Sequence, residues 1–209
     1  MNKEQKPDAK AEGFDEKSGA GKAASALFDS VELLVLTVVA VFLILGFVLR
    51  VCEVSGPSME KSFFNGEKLL VSTLFYTPET GDVIVFHQTS DLSDTFNEPI
   101  IKRVIATGGQ FVKIDYTENK VYVSDDESFT ADEVLDESAY IYLSNGMWKE
   151  YGSEPEVFAV PEGYLFVMGD NRNVSADSRS VYVDLVDERR VLGKALLRIA
   201  PFSKFGKVE

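Results

Sequence analysis

The 209-residue chain carries a formal net charge of -13 and a pI near 4.6. Its 45% apolar content can bury the core of one domain, whereas nucleic acid binding would need a surplus of Lys and Arg that it lacks. A single cysteine, Cys52, excludes an intramolecular disulfide and a multi-thiolate zinc site, and a single histidine, His87, excludes imidazole metal clusters.

Residues 1–28 are rich in Lys, Glu, Asp, Ala and Gly, a composition that buries little surface and predicts a flexible tail. From Leu33 to Leu49 run seventeen residues without a charge. As a helix they span about 26 Å, close to the ~30 Å hydrocarbon core of a bilayer. The segment is apolar on all sides, unlike the one-sided stripe of a core helix, and no small-x-small cleavage site follows it. We expect an uncleaved transmembrane anchor over 29–50. Lysines and arginines flank it on both sides, so charge alone does not orient it.

Beyond the anchor, short runs of period two alternate with Gly, Pro, Asn and Asp. Strands are expected at EKLLVSTLFY, DVIVFHQ, PIIKRVIA, FVKIDY, NKVYVS, AYIYLSN, GYLFVMGD and RVLGKALLRIA, and no convincing amphipathic helix is present. The expected fold is mostly β, an antiparallel domain over 51–209 preceded by the one transmembrane helix. Residues 115–160 read as an insertion or sub-domain. Within it, 115–156 holds twelve Asp or Glu against two Lys, a pattern that reads as a solvated face with no assigned function.

Ser58 sits in a Gly-Pro turn, V-S-G-P-S-M-E, just past the anchor. Serines in such turns are mostly caps or solvated hydroxyls. Lys102 lies on an expected strand, sharing a face with Ile100 and Val104, while Arg103 faces the other way with Ile101 and Ile105. Such a lysine either snorkels to water or, if desolvated, becomes a neutral amine able to take a proton from a serine hydroxyl. The loop G-D-N-R-N-V-S-A-D-S-R, residues 169–179, sets Asp177 and Arg179 two apart, on one face if extended, where they can pair. His87 closes a strand without a recognisable triad order and reads as structural or exposed.

Four segments in this order, S-M at 58–59, G-D-V-I-V-F at 81–86, K-R-V-I at 102–105 and V-M-G-D-N-R-N-V-S-A-D-S-R at 167–179, resemble the sequence boxes of bacterial type I signal peptidases. The last box is the most specific. The resemblance implies a membrane-bound serine endopeptidase that removes signal peptides from secreted preproteins after Ala-x-Ala sites through an acyl-enzyme. Ser58 would be the nucleophile, its backbone N–H an oxyanion donor, and Lys102 the general base. Ser175 would orient the Lys102 amine, with Asp177, Arg179 and Arg103 as braces. Val54, Met59 and Ile101 would line shallow pockets, and Gly56 stands where some relatives supply a second, hydroxyl, oxyanion donor. The resemblance implies no metal or cofactor. Secretory preproteins and the lipid bilayer would be the partners, with the tail cytoplasmic and 51–209 outside. The chain departs from the family pattern at Glu60-Lys61-Ser62, where x-P-T is usual, and at Ala106-Thr107-Gly108-Gly109-Gln110, where Gly-x-Pro-Gly-Asp is common. Two rival readings share some of these features: a self-cleaving repressor-type Ser/Lys protease, which needs no anchor, and a non-catalytic assembly factor or sensor, which needs no buried lysine.

Overall fold

The computed structural model describes residues 16–74, 76–87, 99–141, 146–148 and 156–208. The chain divides into two compact units, one ending at Leu45 and the other running from Gly46 to the C-terminus.

The first unit is built on α1, Glu16–Phe47, which starts inside the segment expected as tail and stops short of Arg50. Its stretch Gly21–Phe47 is the one helix among the described residues long and apolar enough to cross a membrane. Large side chains such as Leu33, Phe42 and Phe47 stand exposed along its apolar stretch. Three of its described hydroxyls are satisfied within the helix: Ser25 donates to the Lys22 carbonyl, Ser30 to that of Ala26 and Thr37 to that of Leu33.

The second unit is a curled, mostly antiparallel β structure. Its strands are β1 (Leu49–Glu53), β2 (Lys68–Ser72), β3 (Val83–Phe86), β4 (Ile100–Ala106), β5 (Phe111–Asp115), β6 (Lys120–Ser124), β7 (Glu156–Ala159), β8 (Tyr164–Met168), β9 (Val186–Asp187), β10 (Val191–Ala200) and β11 (Gly206–Lys207). The large sheet runs β1-β2-β10-β3-β4-β8-β9, with β11 pairing to β10, and a smaller sheet runs β6-β5-β7. Seven of the eight expected strands contain one of these elements. The run AYIYLSN differs: Ser138–Tyr140 form a turn in which the Glu137 carbonyl accepts from the N–H groups of Tyr140 and Ile141, and 142–145 lie outside the described residues.

Three buried clusters fill the unit. Ile105, Val112, Ile114, Phe166 and Met168 form one, and Ile84, Phe86, Val104, Leu165 and Val186 another. Val54, Met59, Phe63, Leu69, Val83 and Ala195 form the third, under the Ser58 turn. The long β10 bends at register shifts that let it pair with both β2 and β3. One of these shifts falls at Gly193 (φ 154°), where an added Cβ would sit 2.1 Å from the Ser72 carbonyl oxygen. Only glycine permits that approach.

Candidate active site

Ser58 sits in a turn that is held from both sides. Upstream, the Gly56 N–H (φ 81°) donates to Asn65 Oδ1 at 2.9 Å. Downstream, the Phe63 N–H donates to the Met59 carbonyl, and both side chains are buried in the third cluster. Burying an apolar side chain directly after Ser58 pins the serine at the half-exposed rim. The Ser58 N–H donates to no protein acceptor among the described residues and stays available.

Antiparallel pairing of β3 and β4 sets Lys102 opposite Ile84. Lys102 is 3% exposed, and its Nζ donates to Ser58 Oγ at 2.8 Å and to the Ile101 carbonyl at 2.9 Å. Burial lowers its pKa from the ordinary 10.5 to about 8, against a weaker upward pull from Asp177 and Asp170. A serine hydroxyl and an amine with a lowered pKa are therefore in direct contact.

Next to Lys102, Arg103 makes a two-pronged bond to Asp170, Nε to Oδ1 at 2.9 Å and Nη2 to Oδ2 at 2.8 Å, with both residues buried. Neighbouring residues of one strand thus do different work, Lys102 meeting Ser58 and Arg103 tying β4 to the 169–179 box.

Asp177 and Arg179 pair as the spacing allowed, Nε to Oδ1 and Nη2 to Oδ2 both at 2.8 Å, although across a turn rather than an extended segment. Burial alone would raise the Asp177 pKa. Arg179, the Gly169 N–H at 3.0 Å and the nearby Ser175 hydroxyl together hold it below the usual carboxylate range. Ser175 Oγ is out of water and, although beside Asp177, makes no regular hydrogen bond. An added Cβ on Gly169 would sit 2.3 Å from Ser175 Oγ and 2.4 Å from the Ser58 carbonyl oxygen. The box backbone is thus wedged between the two serines, and Asn171 completes the grip by donating from its N–H to the Ser58 carbonyl at 3.0 Å and from Nδ2 to that of Pro57 at 3.1 Å.

Val54 and Ile101 line a cleft of about 460 Å³ with Ser58, Lys102, Leu69 and Val85. Met59 and Gly56, expected beside these pockets, are not among its lining residues. Met59 is sealed in the core beneath the turn, and Gly56 serves the turn itself. His87 is exposed just beyond β3, its N–H bonded to the Arg190 carbonyl.

The model of the family described as "Signal peptidase, peptidase S26" matches residues 27–200, most of the chain and every residue of the site. The chain belongs to this signal peptidase family. "Signal peptidase IB" of Staphylococcus aureus is 30% identical over 174 residues, covering 80% of this chain and 86% of that protein. "Probable signal peptidase I-1" of Synechocystis sp. is 31% identical over 190 residues, covering 86% of each. A solved signal peptidase I from Enterococcus faecalis V583 aligns with 25% identity and a TM-score of 0.39, covering 57% of this chain and 97% of that one. Membership makes this signal peptidase a serine hydrolase of the class that removes signal peptides.

Residue spacing alone indicates the Asp177–Arg179 pair, whereas the resemblance is what joins Ser58 to Lys102. Neither indicates Asp170 as the partner of Arg103, or Gly169 and Asn171 as the grip on Ser58. All three lie within the 169–179 box, but their partners are far away in sequence.

Proposed function

We propose that this signal peptidase cleaves preproteins through a Ser58/Lys102 dyad, and the observation that carries the reading is the 2.8 Å contact between Lys102 Nζ and Ser58 Oγ with the amine buried. With Lys102 neutral, the Ser58 O–H donates to Nζ across that distance. Ser58 Oγ then bonds to the scissile carbonyl carbon while its proton passes to Nζ, and the free Ser58 N–H faces the developing oxyanion. Lys102 returns the proton to the leaving amine as the peptide C–N bond breaks, leaving an acyl-enzyme on Ser58. Water attacks this ester, gives its proton to Nζ, and Ser58 recovers it as the acid departs. The unpaired Ser175 hydroxyl beside Asp177 can turn to the Lys102 amine and fix its lone pair, while Asp177, Arg179 and Arg103 keep the three segments in register.

The apolar cleft walled by Val54 and Ile101 favours small residues before the cut, in keeping with an Ala-x-Ala signal. Val54 is buried, so larger side chains meet a packed wall. In this reading α1 holds the enzyme in the membrane with its N-terminus cytoplasmic and the β unit on the outer side, where precursors emerge.

Mass spectrometry of a precursor bearing an Ala-x-Ala site, treated in detergent with the wild type, Ser58→Ala and Lys102→Ala, tests this. Cleavage after the second Ala is expected from the wild type alone, with both variants down by ~10³-fold or more. Cleavage surviving in either folded variant contradicts the dyad.

A further inference from the structure

The segment 137–141 of the acidic insertion touches all three parts of the active site at once. Its Glu137, 5% exposed, accepts from Arg172 Nη1 at 2.7 Å and from Arg172 Nη2, while Arg172 Nε donates to the Gly169 carbonyl at 3.1 Å. Gly169 is the residue wedged between Ser58 and Ser175. Its Tyr140 donates to Glu137 Oε1 at 3.1 Å and lies under the Arg103 guanidinium, 4.0 Å from the ring centroid, next to Lys102 on β4. The carbonyls of Ser138 and Ile141 accept from Lys61 Nζ at 3.0 and 2.8 Å. Lys61 stands three residues after the nucleophile with φ 86°, which proline, fixed near −65°, cannot adopt. The departure at Glu60-Lys61-Ser62 therefore coincides with a differently built turn tied to the insertion.

We infer that residues 137–141 form a clamp on the active site, with Glu137 a positioning residue that acts through Arg172 on Gly169, and Lys61 its tie to the Ser58 turn. The inference rests on the Ser58/Lys102 reading only for its effect on rate. A surface loop would not bury a carboxylate against a guanidinium, because two charges leave water at a cost that geometry must offset. Here the pair closes a ring through Glu137, Arg172, the Gly169–Asp170 backbone, Arg103 and Tyr140, so displacing any member shifts the backbone against Ser58. The role requires no contact with substrate. It predicts a change in turnover with little change in substrate binding, since the cleft walls at Val54 and Ile101 are untouched.

The test compares the full-length wild type in detergent with Glu137→Gln, Lys61→Met and the paired Glu137→Met/Arg172→Met, by amide hydrogen exchange and by precursor cleavage. Exchange at the Gly169 and Asn171 amides is expected to quicken in all three, with the amides pairing β2 to β10 unchanged. In the same variants kcat is expected to fall by ~10- to 100-fold, with KM moving far less. Replacing both members of a buried ion pair by apolar residues restores stability, so the paired variant separates positioning from folding. Its kcat and its Gly169 and Asn171 exchange should stay altered while its melting temperature returns toward that of the wild type. Wild-type exchange and kcat in Glu137→Gln, or recovery of both along with stability in the paired variant, would overturn the clamp. A wild type that cleaves no precursor refutes the proposed reaction instead, and the exchange rates then decide the clamp alone.

Discussion

Lys102, the base of the proposed dyad, shows how surroundings change the chemistry of a side chain. In the fold its pKa is about 8 and in the unfolded chain about 10.5, so folding favours the neutral amine. Below pH 8 the folded protein holds a buried ammonium at a cost of about 3 kcal/mol, by 1.36 kcal/mol per pH unit. That cost shrinks as pH rises from 8 toward 10.5, and above 10.5 it is gone. Lys102→Met is therefore expected to abolish cleavage and to stabilise the protein by up to about 3 kcal/mol at pH 7, the gain fading to nothing by about pH 10.5. Urea unfolding of both proteins across that range measures it. A Lys102→Met variant no more stable than the wild type at pH 7 would mean that the amine is already solvated or paired. Alternation on an apolar strand marked this lysine but left it free to snorkel to water, and only the fold shows it 3% exposed. The sequence did not point to Glu137, since one carboxylate among twelve looks like any other until Arg172 is beside it.

At the scale of elements, strands with strong alternation or turn punctuation were legible, including β3, β4, β5, β6, β8 and β10. The short β9 and β11 were not, because two-residue pairings leave no period to read. The edge strand β1 was hidden by its overlap with the apolar run, and AYIYLSN alternates like a strand although Tyr140 is used to stack under Arg103. The register shift of β10 against β3 depends on Gly193 rather than on pattern. Gly193→Ala would drive a Cβ into the Ser72 carbonyl, and we expect a loss of ~2–3 kcal/mol as β10 and β2 separate. Thermal or denaturant melting reads it directly, and a loss under ~0.5 kcal/mol, the ordinary range for a neutral surface change, would show that the approach is looser than described.

For the whole molecule, the apolar helix and the proposed Ser58/Lys102 site come together in one account. The helix was plain from seventeen uncharged residues, and its extension back to Glu16 was not, because Ala, Lys and Glu suit a helix as well as a tail. If α1 spans a bilayer, the full chain should stay in the membrane pellet through an alkaline carbonate wash. Val39→Arg together with Phe42→Arg, each costing ~2.5–3.5 kcal/mol at the middle of a spanning helix, should release it to the supernatant. Retention of the double variant would contradict a spanning role.

The most direct test of the central claim, that a buried lysine and not the lone histidine activates Ser58, is the pH dependence of kcat/KM for precursor cleavage by the wild type and His87→Ala. The account predicts a limb that rises with pH through about 8 as Lys102 loses its proton, identical in both proteins. A limb rising near ~6.5 that disappears in His87→Ala would contradict it.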